Sequence, residues 1–176
     1  MPRSRVVSTV IEFTRAAYDA VVNHAVRGDP DEVCGVLAGT RADREDRESD
    51  ADSGRNVDRE SGAESGSDTN RGRSRVTEVR PAENVAETPE TRYRIDPEEA
   101  VAVVESIEND GLDVVGFYHS HPAGPARPSG TDVARATWVG YSYAICALDG
   151  HPFVGSWRWR GEDGGFDREA VGIRSE

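Results

Sequence analysis

The sequence predicts a single mixed α/β (α+β) domain, a central mixed β-sheet flanked by about three helices. Three observations point there. Short apolar runs of strand length alternate with stretches whose apolar residues recur at helical spacing. The 176 residues suffice for one core and not for two ordinary ones. No apolar run approaches the ~18 residues of a membrane span.

Taken in order, Val6 to Phe13 (VVSTVIEF) reads as a strand, and a helix over Thr14–Arg27 follows. Thr14 can cap that helix, Ala17, Val21 and Ala25 form its apolar stripe, and Gly28-Asp29-Pro30 ends it. Val33–Ala38 is almost wholly apolar, the pattern of a buried strand. Residues 40–75 then shift to Asp, Glu, Arg, Ser and Gly, with Val57 the one large aliphatic. Such a stretch cannot bury enough surface to offset its ordering entropy, so a disordered acidic insertion is expected there. Val76–Arg80 and Tyr93–Ile95 are expected strands. Asp96-Pro97-Glu98-Glu99 is a strong helix start, with an N-cap, Pro at the first position and acids at the positive end of the dipole. Ala100, Val103, Val104 and Ile107 give that helix one apolar face. Asp113–His119 is a core strand, Ser129 to about Thr137 a helix, and Tyr143–Leu148 and Phe153–Arg160 a strand pair joined at Asp149-Gly150. The domain thus spans residues 7–160, and 161–176 reads as a polar C-terminal tail.

Composition narrows the function classes. Only 36% of residues are apolar, the formal net charge is -12, and all 21 basic residues are arginine. Carboxylates hold water and arginine is weakly hydrated, a combination suited to high salt; a bias towards arginine codons would give the same pattern. An acidic chain without a basic, aromatic-laced patch repels phosphate backbones, which argues against a nucleic-acid partner. Cys34 and Cys146 both lie in apolar stretches, which suits buried thiols in a reducing compartment. The N-terminus lacks the apolar core of a signal peptide. These features lead us to expect a soluble, cytoplasmic protein without a membrane partner.

The chemistry concentrates in VVGFYHSHPAGPARPSGTD. His119 and His121 are two apart at a strand end, so their side chains project from one face. Ser129 and Asp132 follow at i and i+3, the first turn of a helix. Taken singly, each feature has a bland reading: a polar strand end for the histidines, a capping box for Ser129-Gly130-Thr131-Asp132. Taken together, two imidazoles and a carboxylate with one position left open make the donor set of a catalytic zinc. His24 and His151 have no ligand partner at suitable spacing.

The spacing of two histidines one residue apart, seven further residues, a serine, two residues and an aspartate resembles the motif of the JAMM (MPN-plus) zinc metalloproteases. Asp31-Glu32-Val33-Cys34-Gly35-Val36-Leu37-Ala38-Gly39 likewise resembles the glutamate-bearing segment of that family. The likeness runs from about Val7 to Trp159, interrupted by the insertion. Small size, acidity and the position of Cys146 make the chain similar to the desampylases of haloarchaea. The resemblance implies a JAB/MPN-like sheet, one zinc ion on His119, His121 and Asp132, Glu32 as catalytic acid–base, and Ser129 as oxyanion donor. It also implies conjugates of a ubiquitin-like small modifier protein as substrates, the modifier's extended tail adding to a sheet edge. Two alternatives stay open: C-terminal processing of a ubiquitin-like sulfur carrier, and a non-catalytic scaffold. Cys146 reads as a core residue, with a redox role near the metal as its alternative.

Overall fold

The computed structural model describes residues 9–42, 72–149 and 151–175. Within them lie β1 (Val10–Thr14), α1 (Arg15–Gly28), β2 (Cys34–Thr40), β3 (Arg73–Ala82), α2 (Pro97–Asn109), β4 (Asp113–His121), α3 (Gly130–Arg135), β5 (Ser142–Ala147), β6 (Phe153–Trp159) and β7 (Phe166–Arg174). The strands close on themselves in the order β1-β3-β2-β4-β5-β6-β7. β1 runs parallel to β3 and β7, and β4 parallel to β5; the remaining pairs are antiparallel. The sheet is therefore mixed, as expected.

Local chemistry sets the helices. Thr14 caps α1, accepting from the Ala17 N–H, and Ala17, Val21 and Ala25 are the buried stripe. Asp96 caps α2 by accepting from Glu98 and Glu99, with Pro97 in the first turn. The α1 stripe packs with Ile11, Phe13, Leu37, Val76, Val115 and Tyr118 into one core. On the other face, Ile107 of α2 joins Val36, Val114, Phe117, Tyr143 and Trp159. A register shift at Leu37/Ala38 opposite Val115 marks a bulge in β4. The bulge lets Val114 and Phe117 share the α2 face, and re-aims the end of the strand.

The structure corrects several expectations. Residues 161–176 are not a tail, because Phe166–Arg174 forms β7, which pairs with both β6 and β1. Its apolar alternation is missing because the one buried residue of β7 is Glu169, 3.0 Å from Arg158, with side chains 0% and 6% exposed respectively. Ser156 donates to Glu169 at 2.9 Å, so the buried pair is satisfied within the sheet. Tyr93–Ile95 is not a strand, and an irregular segment replaces it. The expected insertion is shorter than 40–75: Thr40 belongs to β2 and Arg73–Arg75 to β3, while residues 43–71 lie outside the described residues. Among the described residues every strand has a neighbour on both sides, but β3 meets β1 only over Arg73–Val76, so Thr77–Ala82 is paired on the β2 side alone.

Candidate metal centre and active-site cleft

β4 ends in His119-Ser120-His121, and strand alternation divides these three side chains between two faces. Because β4 and β5 are parallel, the chain must cross over between them. The crossover carries the proline-rich loop and α3 back over the end of β4. Ser129 caps α3, accepting from the Asp132 N–H at 3.2 Å, while Asp132 accepts from the Ser129 N–H at 2.6 Å. The capping box is thus real, and it does not compete with the metal reading. It holds the Asp132 carboxylate facing both imidazoles.

The three donors form a small triangle. His119 Nε2 lies 3.0 Å from His121 Nε2 and 3.4 Å from Asp132 Oδ1, and His121 Nε2 lies 3.6 Å from Asp132 Oδ2. Two donors bound tetrahedrally at about 2.0–2.1 Å sit roughly 3.3–3.4 Å apart, so the triangle has the size of one face of a zinc site. The tautomer fits too. His121 Nδ1 is 2.9 Å from the Pro125 carbonyl, which can only accept. The proton therefore sits on Nδ1, and the Nε2 lone pair faces the centre. Burial lowers the His119 pKa, favouring the neutral ring that ligates. Burial alone would raise Asp132, but its hydrogen bonds with His119, His121 and Ser129 hold it well below the usual carboxylate range. Among the described residues this is the one His/Cys/Asp/Glu group arranged to hold an ion.

Glu32 reaches the same cleft from a distant part of the chain. It and His121, Ser129, Pro125 and Arg127 line a cavity of about 620 Å³. Ser120, the residue between the two histidines, is what brings it there: its Oγ accepts from the Val33 N–H at 2.9 Å, and its own N–H donates to the Val33 carbonyl at 2.9 Å. Asn84 completes the clasp. Its amide donates to the Glu32 carbonyl at 2.7 Å and to the Arg92 carbonyl at 2.9 Å, and its oxygen accepts from Ala86 and Arg94. Both donors and both acceptor sites of that side chain are used. Tyr93 then lies flat on His119, ring centres 4.3 Å apart and 22° from parallel.

Ser120, Asn84 and Tyr93 were not read as site residues from the sequence. Ser120 is hidden as the spacer of the histidine pair, and only strand alternation could have flagged it. Asn84 and Tyr93 carry no local signal. Cys34 and Cys146 are both free and buried. Cys146 is paired with Ser120 in register, on the face opposite the histidines, and packs in the α1-side core. Burial pushes its thiol up to about 11, and its place on the far face separates it from the donor triangle. His24 is held by the Tyr118 hydroxyl at 2.8 Å, away from the cleft.

Glu32 itself is 7% exposed, and burial raises its pKa to about 7, against an opposing pull from His121 and a further push from Asp132. Its folded-state value lies above the ordinary 4.5, so the fold holds this proton more tightly than the unfolded chain does. The associated stability is fully present below pH 4.5 and is lost as pH rises through about 7. Urea titrations of metal-free protein across that window are expected to show a falling midpoint, and Glu32→Gln is expected to flatten the slope. Identical slopes for the two proteins would refute this.

The closed mixed sheet thus gathers two histidines and an aspartate where a parallel crossover returns. Residues 14–160 match the family of prokaryotic homologs of the JAB domain. The chain is 38% identical over 154 residues to the desampylase of Haloferax volcanii, covering 85% of this chain and 89% of that one. It is 34% identical over 128 residues to a CysO-cysteine peptidase of Mycobacterium tuberculosis, covering 72% of this chain and 66% of the relative. The solution structure of a protein from Desulfitobacterium hafniense superposes with a TM-score of 0.70 at 27% identity, over 94% of both chains. The chain belongs to the prokaryotic JAB-domain family.

Proposed function

We propose that this protein is a zinc-dependent isopeptidase that hydrolyses the amide bond between the C-terminus of a ubiquitin-like small modifier protein and its target. The observation that carries the reading is the convergence of an ion-sized triangle of donors with Glu32 and Ser129 on one cleft. The desampylase relative supports the substrate class.

Zinc held by His119, His121 and Asp132 would supply Lewis acidity, lowering the pKa of a water to about 7. Glu32 accepts the proton of the attacking water as its oxygen bonds to the scissile carbonyl carbon. It returns that proton to the departing amine as the C–N bond breaks, so one water is consumed and a carboxylic acid and an amine are released, the acid's proton then passing to the amine to leave carboxylate and ammonium. Ser129 Oγ already accepts from the Asp132 N–H, which leaves its own hydroxyl proton free to donate to the developing oxyanion.

Substituting Ser129 by Ala is expected to lower kcat about 10²–10³-fold with metal content unchanged. Loss of the α3 cap should cost about 1 kcal/mol of stability besides. Turnover within a factor of two of wild type would remove Ser129 from the reaction.

A second reading keeps the chemistry and changes the substrate. Release of an amino acid or processing extension from the C-terminus of a sulfur-carrier protein is favoured by the CysO-cysteine peptidase relative. Incubation with a target-conjugated modifier and with a modifier carrying a short C-terminal extension, each with and without chelator, separates the two by mass spectrometry. A non-catalytic scaffold would require a missing ligand or base, and all five residues stand together here. Two buried free thiols suit a reducing, cytoplasmic setting.

A further inference from the structure

Tyr93 has two sides. One stacks on His119. The residue also borders an apolar groove of about 440 Å³ between α2 and the segment after α3, lined by Ile95, Val101, Phe117, Trp138 and Tyr143. Val101 is 58% exposed and Trp138 42%, so this groove offers apolar surface to solvent. Arg94 and Arg135 border it and also line an adjoining cavity of about 430 Å³, which holds Arg92 and one carboxylate, Glu87.

No carboxylate lies in ion-pair contact with this rim among the described residues. Arg94 and Arg135 donate to the carbonyls of Val85 and Tyr93, and Arg92 has no side-chain partner among the described residues. Elsewhere Arg15, Arg73 and Arg160 are paired with carboxylates. Three guanidinium groups without an acidic partner, gathered beside an exposed apolar groove on a chain of net charge -12, form a complement to an acidic surface. Tyr93, whose carbonyl Arg135 holds at 3.0 Å, links the two sites: it borders the groove and stacks on His119 of the donor triangle.

We infer that this groove and its arginine rim dock the folded body of the modifier, a small acidic protein with an exposed apolar patch, while its C-terminal tail passes Tyr93 into the metal cleft. The inference rests on the isopeptidase reading and adds the surface that selects the substrate. An apolar centre with a charged rim is the common anatomy of such recognition. The aromatic and arginine side chains present are the types that concentrate binding energy.

The test uses the full-length, zinc-loaded protein and two substrates. One is a conjugate of a Gly-Gly-terminated, acidic ubiquitin-like protein; the other is a short peptide with the same tail in the same isopeptide bond. Val101→Glu places a charge on the groove at an exposed helix position. Arg92→Glu reverses the rim at a residue whose backbone alone joins the Asn84 clasp. Each is expected to raise KM for the conjugate about tenfold, the scale of a truncated interface anchor, with kcat and short-peptide turnover unchanged. Titration of the Glu32→Gln protein with free modifier, read by tryptophan fluorescence, should show the same loss of affinity. Unchanged KM and affinity in both variants would overturn the docking surface while leaving the isopeptidase reading intact. A wild-type protein that cuts neither substrate would overturn both. Loss of self-association in the variants at unchanged conjugate KM would reassign the groove to a second copy of this chain.

Discussion

Glu32→Gln is expected to retain a full complement of metal and lose at least about 10³-fold in kcat. The glutamine keeps the size and hydrogen-bonding shape of the carboxylate but cannot take a proton, and general acid–base groups contribute about 10²–10⁴-fold. Glu32 serves twice in the proposed cycle, as acceptor from water and donor to the amine, which places its loss in the upper part of that range. Metal is retained because the ion-sized triangle is made by His119, His121 and Asp132 alone. The backbone of Glu32, held by Asn84 and by the Pro89 carbonyl, is indifferent to the side-chain change. Metal analysis beside single-turnover kinetics checks both halves. Near-normal turnover with bound metal would require another base.

His119→Ala should remove metal and activity together. The ring is 1% exposed and supplies two edges of the donor triangle, at 3.0 and 3.4 Å. Even outer-shell partners of a metal site cost about 10–100-fold when removed, so a lost ligand should weaken retention by more than about a hundredfold. The thermal response gives a second readout. A ligand at about 100 times its Kd stabilises the fold by about 2.7 kcal/mol, so zinc should raise the Tm of wild type and leave that of His119→Ala unmoved. Chelator should then lower the wild-type Tm and leave the variant unchanged. A variant that still binds zinc stoichiometrically and turns over would refute the site.

Much of this molecule is local and therefore legible in its sequence. The caps at Thr14, Asp96 and Ser129 act within three residues, and the stripe on α1 and the apolar run of β2 follow from backbone periodicity. His119, His121 and Asp132 belong to the same class: strand alternation, one crossover and a capping box join them within fourteen residues of chain. Glu32 was found through resemblance to a family motif, because nothing in its neighbourhood alone separates a base from a surface carboxylate.

The tertiary structure decided the rest, wherever partners are remote along the chain. Glu32 meets the histidines because Ser120 grips Val33, 87 positions away, and because Asn84 ties its carbonyl to the loop that carries Tyr93. Strand β7 carries no apolar alternation, since its inward residue is a glutamate, and only Arg158 on the neighbouring strand makes its burial tolerable. The arginine rim exists only once Arg92, Arg94 and Arg135 are brought together from two separate segments. Periodicity and capping are properties of a few consecutive residues, so the sequence alone determined most of the elements and brought His119, His121 and Asp132 within reach of one another. Pairing across the closed sheet depends on which distant groups satisfy one another, and that is settled only when the whole chain folds.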